Sequence, residues 1–489
     1  MAFLRQLGEW RLRIERNALA ISLLLLAVLT LAEILNSFGL DEASDTAIAK
    51  TANTFTGPFY TARTGDMGRD RIALALLDQA SLDALGADGL PLSYAAQLQL
   101  AQAIARYRPS AIFLDFTYQR PRIADRDEME AGLFMGIEPA PPAEVVALAE
   151  GLRAIEQQGI AVYIGPVADH LLLRPLTQIH QVDLSLPVNG YYDYIFQYSG
   201  SGTRRTLSGH RISPAAVELF RHLCTTDPAL ADIDCVGRLA ELEDKTFYLS
   251  WGMGNTPRQL LRYPRDLRAT CPASERPWSN LANVLWSAAV RKQAARTEDN
   301  IAERCSFHDT LPVAAILSGL DAGGSLDSAL RGKVVMVGAD MPGSDRWPAP
   351  FYNEVPGIAV HAMALDNLVG FAGKVPLVPG TLAGIDLHDL MQVAAMLTLL
   401  LLFFMLSRSN RFSLTRELPD GSREVRRVTA GLVIVLLAGV GLSLLAVSLI
   451  ARWPLAFVFL TTLAPSGLGA LALMIIGRFS CKSVKETQP

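Results

Sequence analysis

Four hydrophobic stretches, at residues 18–35, 390–406, 428–451 and 454–477, constrain this chain more than any other feature. Each approaches or exceeds the roughly 20 apolar residues that a helix needs to cross a bilayer core. The polar-patterned segment 36–389 separates the first stretch from the other three, which crowd into the C-terminal end. The pattern predicts one large domain held on one side of a membrane, with one span before it and three after.

Charge sets the predicted orientation. Arg5, Arg11, Arg13 and Arg16 precede the first stretch, and Arg408, Arg411, Arg416, Arg423, Arg426 and Arg427 fill 407–427. Arg478, Lys482 and Lys485 follow the last stretch. Short loops rich in Arg and Lys stay cytoplasmic. Four crossings therefore put 1–17, 407–427 and 478–489 inside, and 36–389 and the Arg452-Trp453-Pro454 turn outside. A charged start and an apolar middle also fit a cleaved signal peptide. The long apolar run and the lack of a small-x-small pattern favour an uncleaved anchor.

Hydrophobic residues make up 50% of the chain, as several spans require, and the net charge is −4. No basic stripe with interleaved aromatics points to nucleic acid. Cys224, Cys235, Cys271 and Cys305 fall in the outer domain and Cys481 in the tail. An even number in an oxidising compartment suggests disulfides, with three pairings open. Sequence-local pairing, Cys224–Cys235 and Cys271–Cys305, is expected, with free buried thiols as the alternative.

Along the outer domain, Ile72–Leu77 reads as a buried strand ending at Asp78. Ser93 can cap a helix over Tyr94–Tyr107, which Pro109 ends. Ala111–Leu114 is a second strand, followed by a helix over 143–157 and a third strand at Ile160–Ile164. Strand–helix alternation predicts right-handed crossovers and a parallel sheet covered on both faces. The middle is less regular, with strands at Tyr191–Tyr198 and Thr246–Trp251 and a helix at Pro214–Cys224. Lys333–Val337 is a further strand, which leads through a 338–347 loop to a helix around Val360–Val369. The expected fold is an α/β domain with a mainly parallel sheet, an elaborated middle and a late strand joining the first ones, plus four transmembrane α-helices.

The opening RIALALLDQASLDALG, the segment AIFLDFTY and the late block LRGKVVMVGADMPGSDRWPAPFYNEVPGIAVHAMALDNLV together resemble the second class of CHASE extracellular sensor domains. The segment LPLSYAA departs from that pattern, where a tryptophan- and arginine-containing stretch is usual. The resemblance implies a bacterial inner-membrane receptor whose outer, periplasmic domain senses a signal. Its usual output is a histidine kinase, nucleotide cyclase, serine/threonine kinase or diguanylate cyclase after the last span. Only twelve residues follow Gly477 here, so the expected output is a separate partner, another membrane or cytoplasmic signalling or assembly protein. Membrane lipid is the other expected partner, and a homo-oligomer stays open.

No GxxxxGK[ST], HExxH or GxSxG pattern is present, and no catalytic residue, enzyme activity or cofactor is expected. The candidate ligand set is Asp78, Asp115, Asp345 and His361. In an open parallel sheet, ligands bind outside the carboxyl ends of the strands, where carboxylates and an imidazole can hold a cation or polar ligand. Alternatively, Asp78 and Asp115 cap helices or loops and His361 satisfies a buried backbone group. Asp386, His388 and Asp389 form a candidate hinge at the membrane interface, which Glu33 could reach. Gly439 with Ser443, and Ser466 with Ala470, have the four-residue spacing for close helix packing. A sensor or receptor subunit that signals through its helices is expected; a structural or assembly subunit docking through the outer domain is the alternative.

Overall fold

A computed structural model describes residues 53, 56–117, 142–165, 174–184, 197–199, 212–243, 245–256, 259, 273–290, 305–319, 325–341, 346–349 and 352–375, with short hairpin strands at 381–382, 385–386, 415–417 and 423–425. The four expected spans lie outside these residues. Among the described residues no helix is long and apolar enough to cross a membrane. Residues Asn53–Val378 form one compact unit, and the short hairpins belong to a second.

The chain enters the first unit through helix α1 (Tyr60–Thr64) and strand β1 (Ile72–Leu77). Helices α2 (Gln79–Leu85) and α3 (Tyr94–Ala105) lead to β2 (Ala111–Thr117). Helix α4 (Ala143–Glu156) leads to β3 (Ala161–Gly165) and the short β4 (His180–Gln181). The middle adds β5 (Gln197–Ser199), α5 (Ala215–Thr226), α6 (Cys235–Leu242), β6 (Thr246–Tyr248) and α7 (Pro277–Val290). It closes with β7 (Asp309–Pro312), α8 (Val313–Ser318), α9 (Leu326–Leu330), β8 (Val334–Ala339), the hairpin β9 (Arg346–Ala349) and β10 (Tyr352–Pro356), and α10 (Gly357–Gly370).

The main sheet has the order β4-β3-β2-β8-β1-β7, and every pairing in it is parallel. The late strand β8 is thus wedged between β1 and β2, with Val334 opposite both Ile72 and Ala111. Side chains alternate across each strand. Ala73, Ala75, Leu77, Ile112, Leu114, Val335 and Val337 pack under the crossover helices α2, α3, α4, α8 and α9. Ile72, Leu74, Phe113 and Met336 pack on the other face, beneath α5 and α10. Both faces are covered, so the strands read as continuous apolar runs. Close contact of α10 with the sheet demands a glycine: a Cβ at Gly338 would lie 2.6 Å from Ile358 Cβ.

Local signals set the helix ends. Ser93 accepts a hydrogen bond from Ala96 N at 3.1 Å and starts α3. The disulfide expected between Cys224 and Cys235 is present, joining the end of α5 to the start of α6 with the Cα atoms 6.1 Å apart. Cys305 is disulfide-bonded too, and Cys271 lies outside the described residues. Strand β7, hairpin β9–β10 and helices α6 and α7 are additions to the sequence reading.

Candidate functional site

At the carboxyl ends of the strands, Asp78 caps α2. Its Oδ1 accepts from Ser81 N at 2.8 Å and from Ser81 Oγ at 2.5 Å. Ser81 Oγ in turn accepts from Ala314 N at 3.0 Å, so this carboxylate fixes the starts of two helices at once. Asp115 sits in β2, where pairing with β3 shifts register between Leu114 and Thr117. It has an interaction partner there. Asp345 lies outside the described residues.

His361 does not join them. It is on α10, across the sheet from α2, with 1% of its surface exposed. Its ring meets Phe113 edge-on at 5.8 Å. Burial drives its pKa down to about 4, against a smaller opposing effect of a backbone hydrogen bond with Leu184. The imidazole is therefore neutral at ordinary pH and serves the core. Of the expected ligand set, Asp78 and His361 are therefore not brought together, because α10 holds His361 on the sheet face opposite α2.

An acid that the sequence reading passed over does sit at that edge. Asp340 follows β8 as Asp78 follows β1, and its backbone N donates to Leu77 O at 2.8 Å. Arg346, at the start of β9, donates to its carboxylate at 2.6 Å. The shared signal is an aspartate directly after a buried strand. At the opposite edge a cavity of about 360 Å³ opens beside Asp70, Arg71, Ser110, Thr226 and Asp227, with Arg71 paired to Asp227.

Of the other candidates, Asp386 lies in a two-residue strand, its backbone opposite Thr381. His388, Asp389, Glu33, Gly439, Ser443, Ser466 and Ala470 lie outside the described residues.

The densest polar constellation is buried. Tyr60 OH donates to Asp366 Oδ1 at 2.6 Å, and His308 Nε2 lies 3.1 Å from Asp366 Oδ2. Asn367 Nδ2 donates to Ser250 O at 2.9 Å, Met363 O at 2.8 Å and Tyr60 OH at 3.2 Å, while its Oδ1 accepts from Ser250 N at 2.9 Å. Asn53 extends the cluster by accepting from Trp251 N at 2.8 Å and donating to Leu249 O at 3.2 Å. Burial, and then the Asp366 carboxylate, push the Tyr60 hydroxyl well above its ordinary pKa. Arg69 lies over the Phe307 ring at 4.6 Å and donates to Gly254 O at 2.9 Å. Gly68 passes so close that a Cβ there would sit 2.7 Å from Asp366 Cγ. Buried polar groups persist only when satisfied, and here the partners come from distant stretches of chain. The signal for the cluster was the Asp366-Asn367 pair inside a helix whose one other polar side chain is His361.

The geometry is that of a double-covered parallel sheet in a domain whose first and last described segments meet at one polar cluster. Against known families, the model of the CHASE2 domain matches residues 20–404. The chain belongs to the CHASE2 family. That is a family of extracellular sensor domains, and the match takes in every strand of the main sheet and the whole polar cluster. No curated protein and no solved structure matches the chain. In this CHASE2 domain the late block contributes the central strand β8, the hairpin β9–β10 and helix α10.

Proposed function

We propose that this chain is a membrane-anchored sensor subunit: its CHASE2 domain lies outside a bacterial inner membrane and passes its state through membrane helices to a separate protein. The hydropathy and charge pattern supports the one-plus-three topology. The observation that carries the coupling is the meeting of entry and exit segments at Asp366. Asn53, Tyr60 and Thr64 belong to the segment arriving from the first expected span, and α10 is the last helix among the described residues before the second.

Any displacement of α10 against α1 must break or remake the Tyr60–Asp366 and Asn367–Tyr60 bonds. A hydrogen bond to a charged group is worth about 1.5–3 kcal/mol, and each 1.4 kcal/mol is about tenfold in an equilibrium constant. Exchanging one such bond can therefore bias two arrangements by roughly ten- to a hundredfold. A signal acts only through its different affinity for those arrangements.

A second reading, a structural or assembly subunit with the outer domain as docking platform, draws support from the separation of Asp78 and His361. A crevice built on both would have favoured ligand sensing. Cross-linking and co-purification of the full chain from native membranes test the two. A stoichiometric kinase or cyclase is expected; envelope-assembly components would favour the second reading, and a solitary chain would sink both.

A further inference from the structure

The three most exposed large hydrophobic residues among those described are Val236 at 81%, Trp278 at 67% and Leu90 at 41%. Two of them flank the places where the chain enters and leaves the domain. Trp278, in the first turn of α7, packs edge-on against Phe59 with ring centroids 4.8 Å apart. Phe59 immediately precedes Tyr60, whose ring in turn meets Phe371 at the end of α10. Val236 is on α6, two residues from Arg238, whose side chain lies where a Cβ on Gly373 would fall, at 2.7 Å. Gly373 is the exit segment directly after α10, and Arg63 of the entry segment lies over Phe371 at 5.2 Å.

Entry, exit, two exposed apolar side chains and two arginines thus share one end of the domain. Tryptophan with arginine is the chemistry of a bilayer's interfacial region, where the ring sits at headgroup level and the cations meet phosphate.

We infer that this end of the domain rests on the lipid surface, with Trp278 and Val236 seated in the headgroup region. The inference deepens the membrane-anchored reading and rests on it. It gives the domain a third attachment besides its two chain connections, so that a tilt of the domain on the bilayer is resisted at α6 and α7.

The test uses the full chain in nanodiscs of phosphatidylethanolamine and phosphatidylglycerol, with acyl chains either plain or brominated. Trp278→Phe keeps a ring against Phe59 while removing the indole emission. The bromolipid-dependent loss of fluorescence is expected to fall by a share on the order of one of the six tryptophans. Val236→Trp, at a site open enough to accept it, is expected to add a quenchable emitter. Unchanged quenching in both variants, with the chain still in the membrane after alkaline carbonate extraction, overturns the inference alone. Release of the chain by carbonate overturns the membrane-anchored reading itself. Trp278 emission blind to bromolipid, with a dimer that Trp278→Ser dissolves, assigns the face to a second copy and overturns it as well.

Discussion

His361 gives the domain a built-in acid sensitivity that can be worked out from its surroundings. The ring is 1% exposed and its pKa is lowered from 6.5 to about 4, chiefly by burial. In the unfolded chain the same group titrates near 6.5. The unfolded state therefore binds more protons between these values, and stability rises with pH there. The contribution is fully present above about 6.5 and is lost as pH drops toward 4. The full shift corresponds to about 3 kcal/mol at about 1.36 kcal/mol per pH unit, and to about 2 kcal/mol by pH 5. His361→Gln keeps a polar group for Leu184 and removes the titration. The measurement is urea unfolding of the full chain in nanodiscs, followed by tryptophan emission at pH 7.5 and pH 5. Wild type is expected to lose about 2 kcal/mol more than the variant between the two conditions, whatever the variant costs at neutral pH. Carboxylates and the partly buried His222 titrate alike in both proteins and cancel. Equal losses would refute the reasoning, because His361 would then be hydrated or charged in the folded domain.

Three other outcomes are expected. Tyr60→Phe keeps the ring contacts with Phe307 and Phe371 but removes the hydrogen bond to Asp366; it should destabilise by about 2 kcal/mol in urea titrations. Because the Tyr60 pKa is raised in the folded state, its contribution is complete below about 10 and is lost at higher pH, so the variant should show a shallower alkaline decline. Gly68→Ala places a Cβ 2.7 Å from Asp366 Cγ and 2.8 Å from its backbone oxygen; a loss of about 1–3 kcal/mol in the same titration is expected from overpacking. Cys224→Ser with Cys235→Ser opens a loop whose ends are 11 residues apart, for which chain entropy predicts a loss of about 3 kcal/mol, read as a lower urea midpoint with the m-value rising as the unfolded chain expands.

The sheet was legible where burial makes long apolar runs. Ile72–Leu77, Ala111–Leu114 and Lys333–Val337 appear as strands because both faces of the sheet are covered. Strand β7 was not legible: at four residues, and ending in proline, Asp309–Pro312 carries little periodic signal. That a late strand joins the early ones could be foreseen, but its place between β1 and β2 follows from crossovers that skip a strand, which local sequence does not encode. The polar cluster was hidden by distance along the chain, since Tyr60 and Asp366 are 306 residues apart.

The misplacement of His361 has the same physical root as the oversight of Asp366 and Asn367. Helix α10 is buried along almost its whole length, from Gly357 to Val369. A helix that is apolar all round lies in a core, so a polar residue on it must find a partner inside rather than face a ligand at the sheet edge. His361 meets that demand by shedding its charge and bonding to the backbone of Leu184. Asp366 meets it by drawing in Tyr60 and His308, and Asn367 by bonding to Ser250 and Met363. The helix that the late block contributes therefore acts as the internal spine to which the domain's first segment is bolted. Any shift of α10 is therefore transmitted to Tyr60 through its bonds with Asp366 and Asn367.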